Sequence, residues 1–441
     1  MGHAPFSHTG EEFYLGADSS RESLHSKIVQ LTNDPVLKEE ITLKNYGAAP
    51  HELMSVVVAL NCFPELFDTD EQKSFFARCI LGYQYIKNLN TEKSFLNCMI
   101  SMLNSSVIDV DKLDYLIRDA YITGFDTVSI DYVRLLRSVR IIQEGDTCKL
   151  VYSKGAISVI ENVVFAHDAE RKWIQSHPVV LYEAYLLRHA LEILNSQYDV
   201  FNYDALTVQG KKLSDGIHIS LLTDGDITFL MKNTLKDPVV EEYFSRRDRH
   251  HPLWKSEAEY KAIFNRGLND ITFQTVENEL EELLKYLNFA NKSPEINGAA
   301  LAALNEDIHS TYAMIEATSG SEKQSKLKKQ LATKEKHLKW LTCFKDFADR
   351  QGLDFDFLII KSSQFNSGFG KLAFENIEIA FPGLKHPCNF KRVTNALSAG
   401  KSERDKFYYL FVRRKDRNQK IDASDLALAL GTLAMEEAFC D

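Results

Sequence analysis

Residues 108–125 read I-D-V-D-K-L-D-Y-L-I-R-D-A-Y-I-T-G-F. At about 100° per residue, Leu113, Leu116, Ile117, Ala120 and Tyr121 fall on one arc of a helix. Asp111, Lys112, Tyr115, Arg118 and Asp119 fall on the opposite arc. Asp109 is placed to cap the start of this helix and Gly124 to end it. The polar face offers a carboxylate for a metal, a cation for phosphate, and a ring with a carboxylate for a sugar. A solvated charged face is the competing reading.

The run Asp109-Val-Asp-Lys-Leu-Asp-Tyr-Leu-Ile-Arg-Asp119 resembles the last motif of the HD-domain deoxynucleoside triphosphate triphosphohydrolases, the dGTPase-like family. Gly2-His-Ala-Pro-Phe-Ser-His8 resembles the segment that directly follows that family's His-Asp doublet. The two motifs occur in the family's order, and the resemblance covers about residues 1–255. It implies an HD-type helical core and hydrolysis of dNTPs to deoxynucleoside and inorganic triphosphate. It also implies a divalent metal (Mg, Mn or a related transition metal) and deoxynucleoside triphosphates as substrate and effector. A homo-oligomer is implied as well.

Carried onto this chain, the resemblance makes His3, His8, Glu11 and His25 catalytic or phosphate-contacting. Lys112 would hold phosphate, Tyr115 and Asp119 the sugar, and Asp111 the metal. The chemistry suits the residue types. Imidazoles donate to phosphate and release protons near neutral pH, and a carboxylate beside a histidine holds its tautomer and raises its pKa. A structural histidine is the competing reading for each imidazole taken alone. His51 reads as a capping or packing residue, and the later doublet His167-Asp168 as local structure.

The family holds its metal with two histidines and two aspartates, of which only Asp111 has a counterpart here. Met1 stands where an apolar residue would follow the doublet. The expectation is a start assigned at an internal methionine, testable by His-Asp codons in the DNA just upstream.

Net charge is −10 over 441 residues, which argues against bulk nucleic-acid binding as the main task. Seven cysteines without C-x-x-C pairing suit a reducing cytoplasm and give no zinc signal. No apolar run approaches the roughly 18 residues of a membrane span, so no membrane partner is expected.

Residues 26–45 read as helix broken at Asn33-Asp34-Pro35, followed by helices at His51–Leu60, Glu71–Ile86 and Thr91–Leu103. Asp131–Ile142 reads as a helix, with Arg134, Arg137 and Arg140 repeating every three residues. Cys148–Lys154 reads as a strand, and Ala156–Trp173 and Val179–Asn195 as helices. Arg171, Lys172 and His177 are candidate phosphate or sugar contacts. Ser245–Lys255 is the most basic short segment and suits an effector phosphate, a nucleic-acid contact or a solvated junction. Residues 291–298 read as a linker. Beyond them come helices at Ala299–Thr318 and Glu322–Lys339, strands at Phe355–Lys361, Ile377–Phe381 and Phe407–Val412, and a closing helix at Ser424–Ala438. The fold class expected is mainly α. An HD-type helical domain would span 1–290, and a smaller C-terminal helical and α+β region 299–441.

Three readings follow. The first is a dNTP triphosphohydrolase. The second is an HD phosphohydrolase acting on another nucleotide. The third is a non-catalytic, nucleotide-binding or oligomeric HD-like protein.

Overall fold

The helix expected around residues 108–125 is present as Val110–Thr123. Asp109 caps it by accepting from the Lys112 N–H at 2.7 Å, and Gly124 ends it at φ +70°. Its orientation differs from the sequence reading. Leu116 and Ala120 are buried and Leu113 is half-buried, but Ile117 is exposed and Tyr121 is 87% exposed. Tyr115 is half-buried instead of solvated. The reason is packing. The helix packs against Thr91–Leu103 and Ile157–Glu170, and Leu116 is the residue it buries in the apolar cluster with Val159, Ile160 and Val163, so the inward arc is centred there and not on Tyr121.

The computed structural model describes residues 2–15, 18–43, 47–105, 108–125, 129–201, 203–213, 215–247, 249–290, 293–318, 320–362, 374, 376–394, 407–414, 416 and 418–438. The first helices are α1 (His8–Leu15), α2 (Asp18–Thr32), α3 (Pro35–Leu43), α4 (Pro50–Cys62), α5 (Asp70–Leu81), α6 (Thr91–Leu103), α7 (Val110–Thr123) and α8 (Tyr132–Ser138). A hairpin β1 (Val139–Glu144) and β2 (Thr147–Ser153) follows, then α9 (Ile157–Glu170), a π-helical turn at Arg171–Gln175, and α10 (Pro178–Tyr198). Next come β3 (Lys211–Lys212), β4 (His218–Ile219), α11 (Asp224–Thr234), α12 (Pro238–Ser245), β5 (His251–Pro252), α13 (Glu257–Gly267) and α14 (Asp270–Ala290). The remainder is β6 (Glu295–Asn297), α15 (Gly298–Ala317), α16 (Ser321–Gln351), β7 (Asp356–Lys361), β8 (Glu378–Ala380), β9 (Cys388–Asn389), β10 (Tyr408–Val412) and α17 (Ala423–Ala438).

The fold is mainly helical with a few small sheets. Two compact units are present. The first comprises Met1–Gln175, Glu183–Phe244 and Phe365–Lys401; the second comprises Ser176–Tyr182, Ser245–Gln364 and Ser402–Asp441. Contact density thus groups residues 245–290 with the C-terminal part, where the sequence suggests a 1–290 domain. The expected strands also part company. β8 pairs with β2 in the sheet β1-β2-β8-β9, whereas β7 and β10 pair in the sheet β5-β10-β7-β6.

The helix expected at Asp131–Ile142 stops at Ser138. Val139–Gln143 pairs antiparallel with Cys148–Tyr152, a partner that the arginine spacing could not reveal. The expected linker contains β6, paired with β7. The lysine-rich helix runs on to Gln351, where Gly352 at φ +64° ends it.

The first unit has two apolar clusters. One joins Leu24, Ile28, Leu53, Val57 and Leu191 from α2, α4 and α10. The other joins Leu116 of α7 to Val159, Ile160 and Val163 of α9. The second unit is built around aromatic residues, among them Trp254, Tyr260, Phe264 and Phe273. Among the described residues, no helix is long and apolar enough to cross a membrane. The six described cysteines are free thiols.

Candidate active site

Two glycines let the N-terminal segment fold back on itself. A Cβ at Gly2 would lie 2.1 Å from the Ser55 nitrogen, so only glycine lets the chain press against α4. A Cβ at Gly10 would lie 2.0 Å from the Pro5 carbonyl oxygen. Between them, Phe6 and Ser7 hold φ of +60° and +52°, a left-handed turn that costs roughly 1–2 kcal/mol per residue. The Phe6 N–H donates to Asp224 Oδ1 at 2.9 Å, which helps hold this turn. Asp224 opens α11, so the Asp-Gly-Asp run at 224–226 serves a structural purpose.

This turn places three imidazoles around one carboxylate. Glu11, on α1, is buried. His8 Nδ1 lies 3.0 Å from Glu11 Oε2. His51 Nδ1 lies 2.7 Å from Glu11 Oε1, and His3 Nδ1 lies 3.6 Å from the same oxygen. The His3 and His51 rings stack at 4.3 Å, tilted by only 15°. His8 stands edge-on to both, at 5.6 Å and 5.2 Å.

The environment separates the titrations of these groups. Burial favours the neutral form of Glu11, but the imidazoles of His51 and His8 outweigh it and bring its pKa down to about 2. The bond to Glu11 raises the His8 pKa against the smaller effect of burial, and the negative charge of Asp111 adds to the rise. Burial and then the neighbouring His51 lower the pKa of His3.

Asp111 is exposed at the start of α7, close enough for its charge to act on His8. The Lys112 amine is engaged structurally. It donates to Asp109 Oδ2 at 2.6 Å and to the Ser105 carbonyl at 2.7 Å. An ammonium has three N–H groups, so one remains for a phosphate. Tyr115 is half-buried, and burial with the charges of Glu170, Asp109 and Asp111 raises its pKa. Asp119 is partly exposed beside Arg118.

The structure brings His3, His8 and Glu11 together. His25 it places otherwise: its Nδ1–H donates to the Arg21 carbonyl, one turn back on α2, at 2.9 Å, and burial lowers its pKa. The reading of His51 as a capping or packing residue is corrected. The cap is made by Glu52, whose Oε2 accepts from the Ala49 N–H at 2.5 Å, and this leaves the His51 ring to Glu11. The glutamate at the third helical position is the sequence signal that separates the two roles.

Glu170 is a further residue that sequence reasoning misses. It is 2% exposed at the end of α9, just before the π-helical turn, and burial raises its pKa. Gln175 binds one of its oxygens at 2.9 Å, while Oε2 is buried without a hydrogen bond. A raised acid pKa stabilises the fold below the unfolded value and loses that effect as pH rises through the folded value. Glu170→Gln is therefore expected to raise the melting temperature at pH 8 more than at pH 4. Equal shifts at both values would refute the assignment.

The other cationic candidates have structural roles. Lys172 lies over the Trp173 ring at 4.9 Å, and His177 Nδ1 accepts from the Val179 N–H at the start of α10. In the basic segment, His250 Nε2 lies 3.3 Å from Asp356, which also pairs with Arg413 at 2.8 Å.

The metal set implied by the family does not fit the residues present, because Asp111 alone represents it and one exposed carboxylate holds an ion weakly. A different donor set converges among the described residues. His3, Glu11 and His51 each bring a ligand atom within 4.8 Å of the others.

No family model matches the chain. It is 28% identical over 132 residues to the uncharacterized protein MJ1154 of Methanocaldococcus jannaschii, covering 27% of this chain and 29% of that one. It is 24% identical over 205 residues to the uncharacterized protein YwfO of Bacillus subtilis, covering 45% and 42%. For the uncharacterized protein MG461 of Mycoplasma genitalium the figures are 24% over 162 residues, 37% and 31%. The chain thus spans less than half the length of these relatives. A hypothetical protein from Aquifex aeolicus superposes with a TM-score of 0.45 at 14% identity, covering 96% of this chain and 84% of that one.

Proposed function

We infer that this chain carries the catalytic histidines of a deoxynucleoside triphosphate triphosphohydrolase of HD type. One observation carries the reading. The N-terminal motif folds so that His3 and His8, with His51, surround the buried Glu11 carboxylate, His8 Nδ1 lying 3.0 Å from it, and Asp111 of the second motif is close enough for its charge to reach His8.

The chemistry is acid–base. Neighbouring groups whose environments push their pKa values apart are suited to acid and base roles. His8, raised and oriented through Nδ1 by Glu11, supplies a proton from Nε2 to the leaving oxygen of the deoxynucleoside. His3, lowered and neutral, accepts a proton from the water that attacks the α-phosphorus. The remaining N–H of Lys112 and protonated His8 balance phosphate charge, and Tyr115 with Asp119 contacts the sugar.

A homo-oligomer belongs to the same proposal. Ile117, Tyr121 and Ile122 of α7 and Tyr132 and Leu136 of α8 are exposed large apolar side chains, which a second copy would cover. Sedimentation showing monomer alone would sink this part.

The test incubates two proteins, this chain and a form extended upstream through in-frame codons, with dNTPs and Mg²⁺ or Mn²⁺. Inorganic triphosphate is assayed. Release by either supports the reading. Release by neither, with all four dNTPs present, overturns it in favour of a non-catalytic nucleotide-binding protein.

A further inference from the structure

We propose that His3, Glu11 and His51 form a binding site for one transition-metal ion of zinc or cobalt type, which fills without nucleotide. This set is distinct from the two-histidine, two-aspartate set that the resemblance implies, and it excludes Asp111.

The first observation is donor type. Two imidazole nitrogens and one carboxylate oxygen suit a borderline ion, whereas magnesium prefers an all-oxygen shell. The second is convergence. One ligand atom from each residue lies within 4.8 Å of the others, with His51 Nδ1 2.7 Å and His3 Nδ1 3.6 Å from Glu11 Oε1 and Ser7 Oγ 3.2 Å from the same His3 nitrogen. The third is that Glu11 Oε1 and His51 Nδ1 are both buried without a hydrogen bond. They stand 2.7 Å apart as an ion pair, which an entering ion would part. An ion between them would satisfy both.

The remaining geometry is permissive. Tetrahedral bonds of about 2.0–2.1 Å set ligand atoms about 3.4 Å apart. The Glu11–His51 pair would open by about 0.7 Å from its 2.7 Å, and His3, at 3.6 Å, is already near that spacing. His8 holds the other oxygen of Glu11 at 3.0 Å, an outer contact that fixes the carboxylate as metal ligands require. Three protein ligands leave a fourth position for water or a phosphate oxygen.

An ion on His3 Nδ1 leaves the ring's proton on the other nitrogen and removes His3 as the base of the hydrolytic reading, so the two states exclude one another and the test uses metal alone. The full chain is stripped with a chelator and titrated with Co²⁺, following visible absorption and bound metal. About one Co²⁺ per chain is expected, with the intense bands of a four- or five-coordinate ion, displaced by Zn²⁺ and not by Mg²⁺. His3→Ala and Glu11→Gln should each weaken binding by at least about 100-fold, and Asp111→Asn should leave it unchanged. His3 is half exposed, so its variant is expected to fold, with circular dichroism as the check. Absence of stoichiometric Co²⁺, wild-type binding by both variants, or loss of binding in Asp111→Asn overturns the proposal. Metal binding, with no triphosphate released by this chain or by the extended form, would leave this site standing and sink the hydrolase.

Discussion

Glu11→Gln is expected to lower triphosphate release at pH 7 by about 10²–10⁴-fold. Unlike a neutral amide, which can donate at Nδ1 as well as accept there, the carboxylate does two things for His8. It bonds His8 Nδ1 at 3.0 Å, which sets the tautomer that leaves Nε2 for the substrate. It also supplies most of the rise in the His8 pKa. Without that charge the His8 pKa falls, so the basic limb of the pH–rate profile moves to lower pH. A profile of kcat/KM against pH that is the same for both proteins would sink the role assigned to Glu11. The same substitution has a stability signature. A carboxyl depressed from 4.5 to about 2 stabilises the fold above about pH 4.5, and that contribution is lost as pH falls through about 2. The variant should therefore lose less stability between these values than the wild type. Metal titration beside the rate assay separates a lost ion from a lost proton donor.

Arg78→Met is expected to destabilise the first unit by about 3–5 kcal/mol, read from denaturant unfolding. The Arg78 side chain is 0% exposed on α5. It pairs with Glu40 at 2.5 Å and with Asp34 at 3.2 Å, and its guanidinium lies 4.0 Å above the Tyr85 ring. Each acid is itself committed. Glu40 Oε1 accepts from the Ile86 N–H at 2.9 Å, and Asp34 Oδ1 caps α3 through Val36 and Leu37. Removing the arginine leaves Glu40 buried and unpaired, which accounts for most of the cost. Adding Glu40→Gln to Arg78→Met should recover part of the loss. A loss below about 1 kcal/mol, the range of a surface pair, would show that Arg78 does not hold these elements together. Burial raises the Asp34 pKa, but its bonds to Ser74, the α3 backbone and Arg78 lower it by more. Its share of the stability is thus present above the ordinary carboxylate range and fades as pH falls through the lowered value.

Local chemistry makes much of this protein legible in its residues alone. Asp109 and Gly124 mark the ends of α7, since a cap needs only a side-chain oxygen and a left-handed residue close in sequence. The break at Asn33-Asp34-Pro35 and the strands β2, β7, β8 and β10 are readable for the same reason. The resemblance of the N-terminal segment singles out His3, His8 and Glu11 together. Three things are decided only by tertiary contacts. The partner strand of Val139–Glu144 turns a helical arginine spacing into a hairpin. Packing against neighbours fixes which arc of α7 faces inward, leaving Tyr121 outside and Tyr115 half inside. Above all, His51 reaches Glu11 from forty residues away because glycines at positions 2 and 10 allow the N-terminal turn to press against α4. Sequence spacing shows the length of chain between two side chains; only the packed backbone decides which imidazole closes the ring around a buried carboxylate.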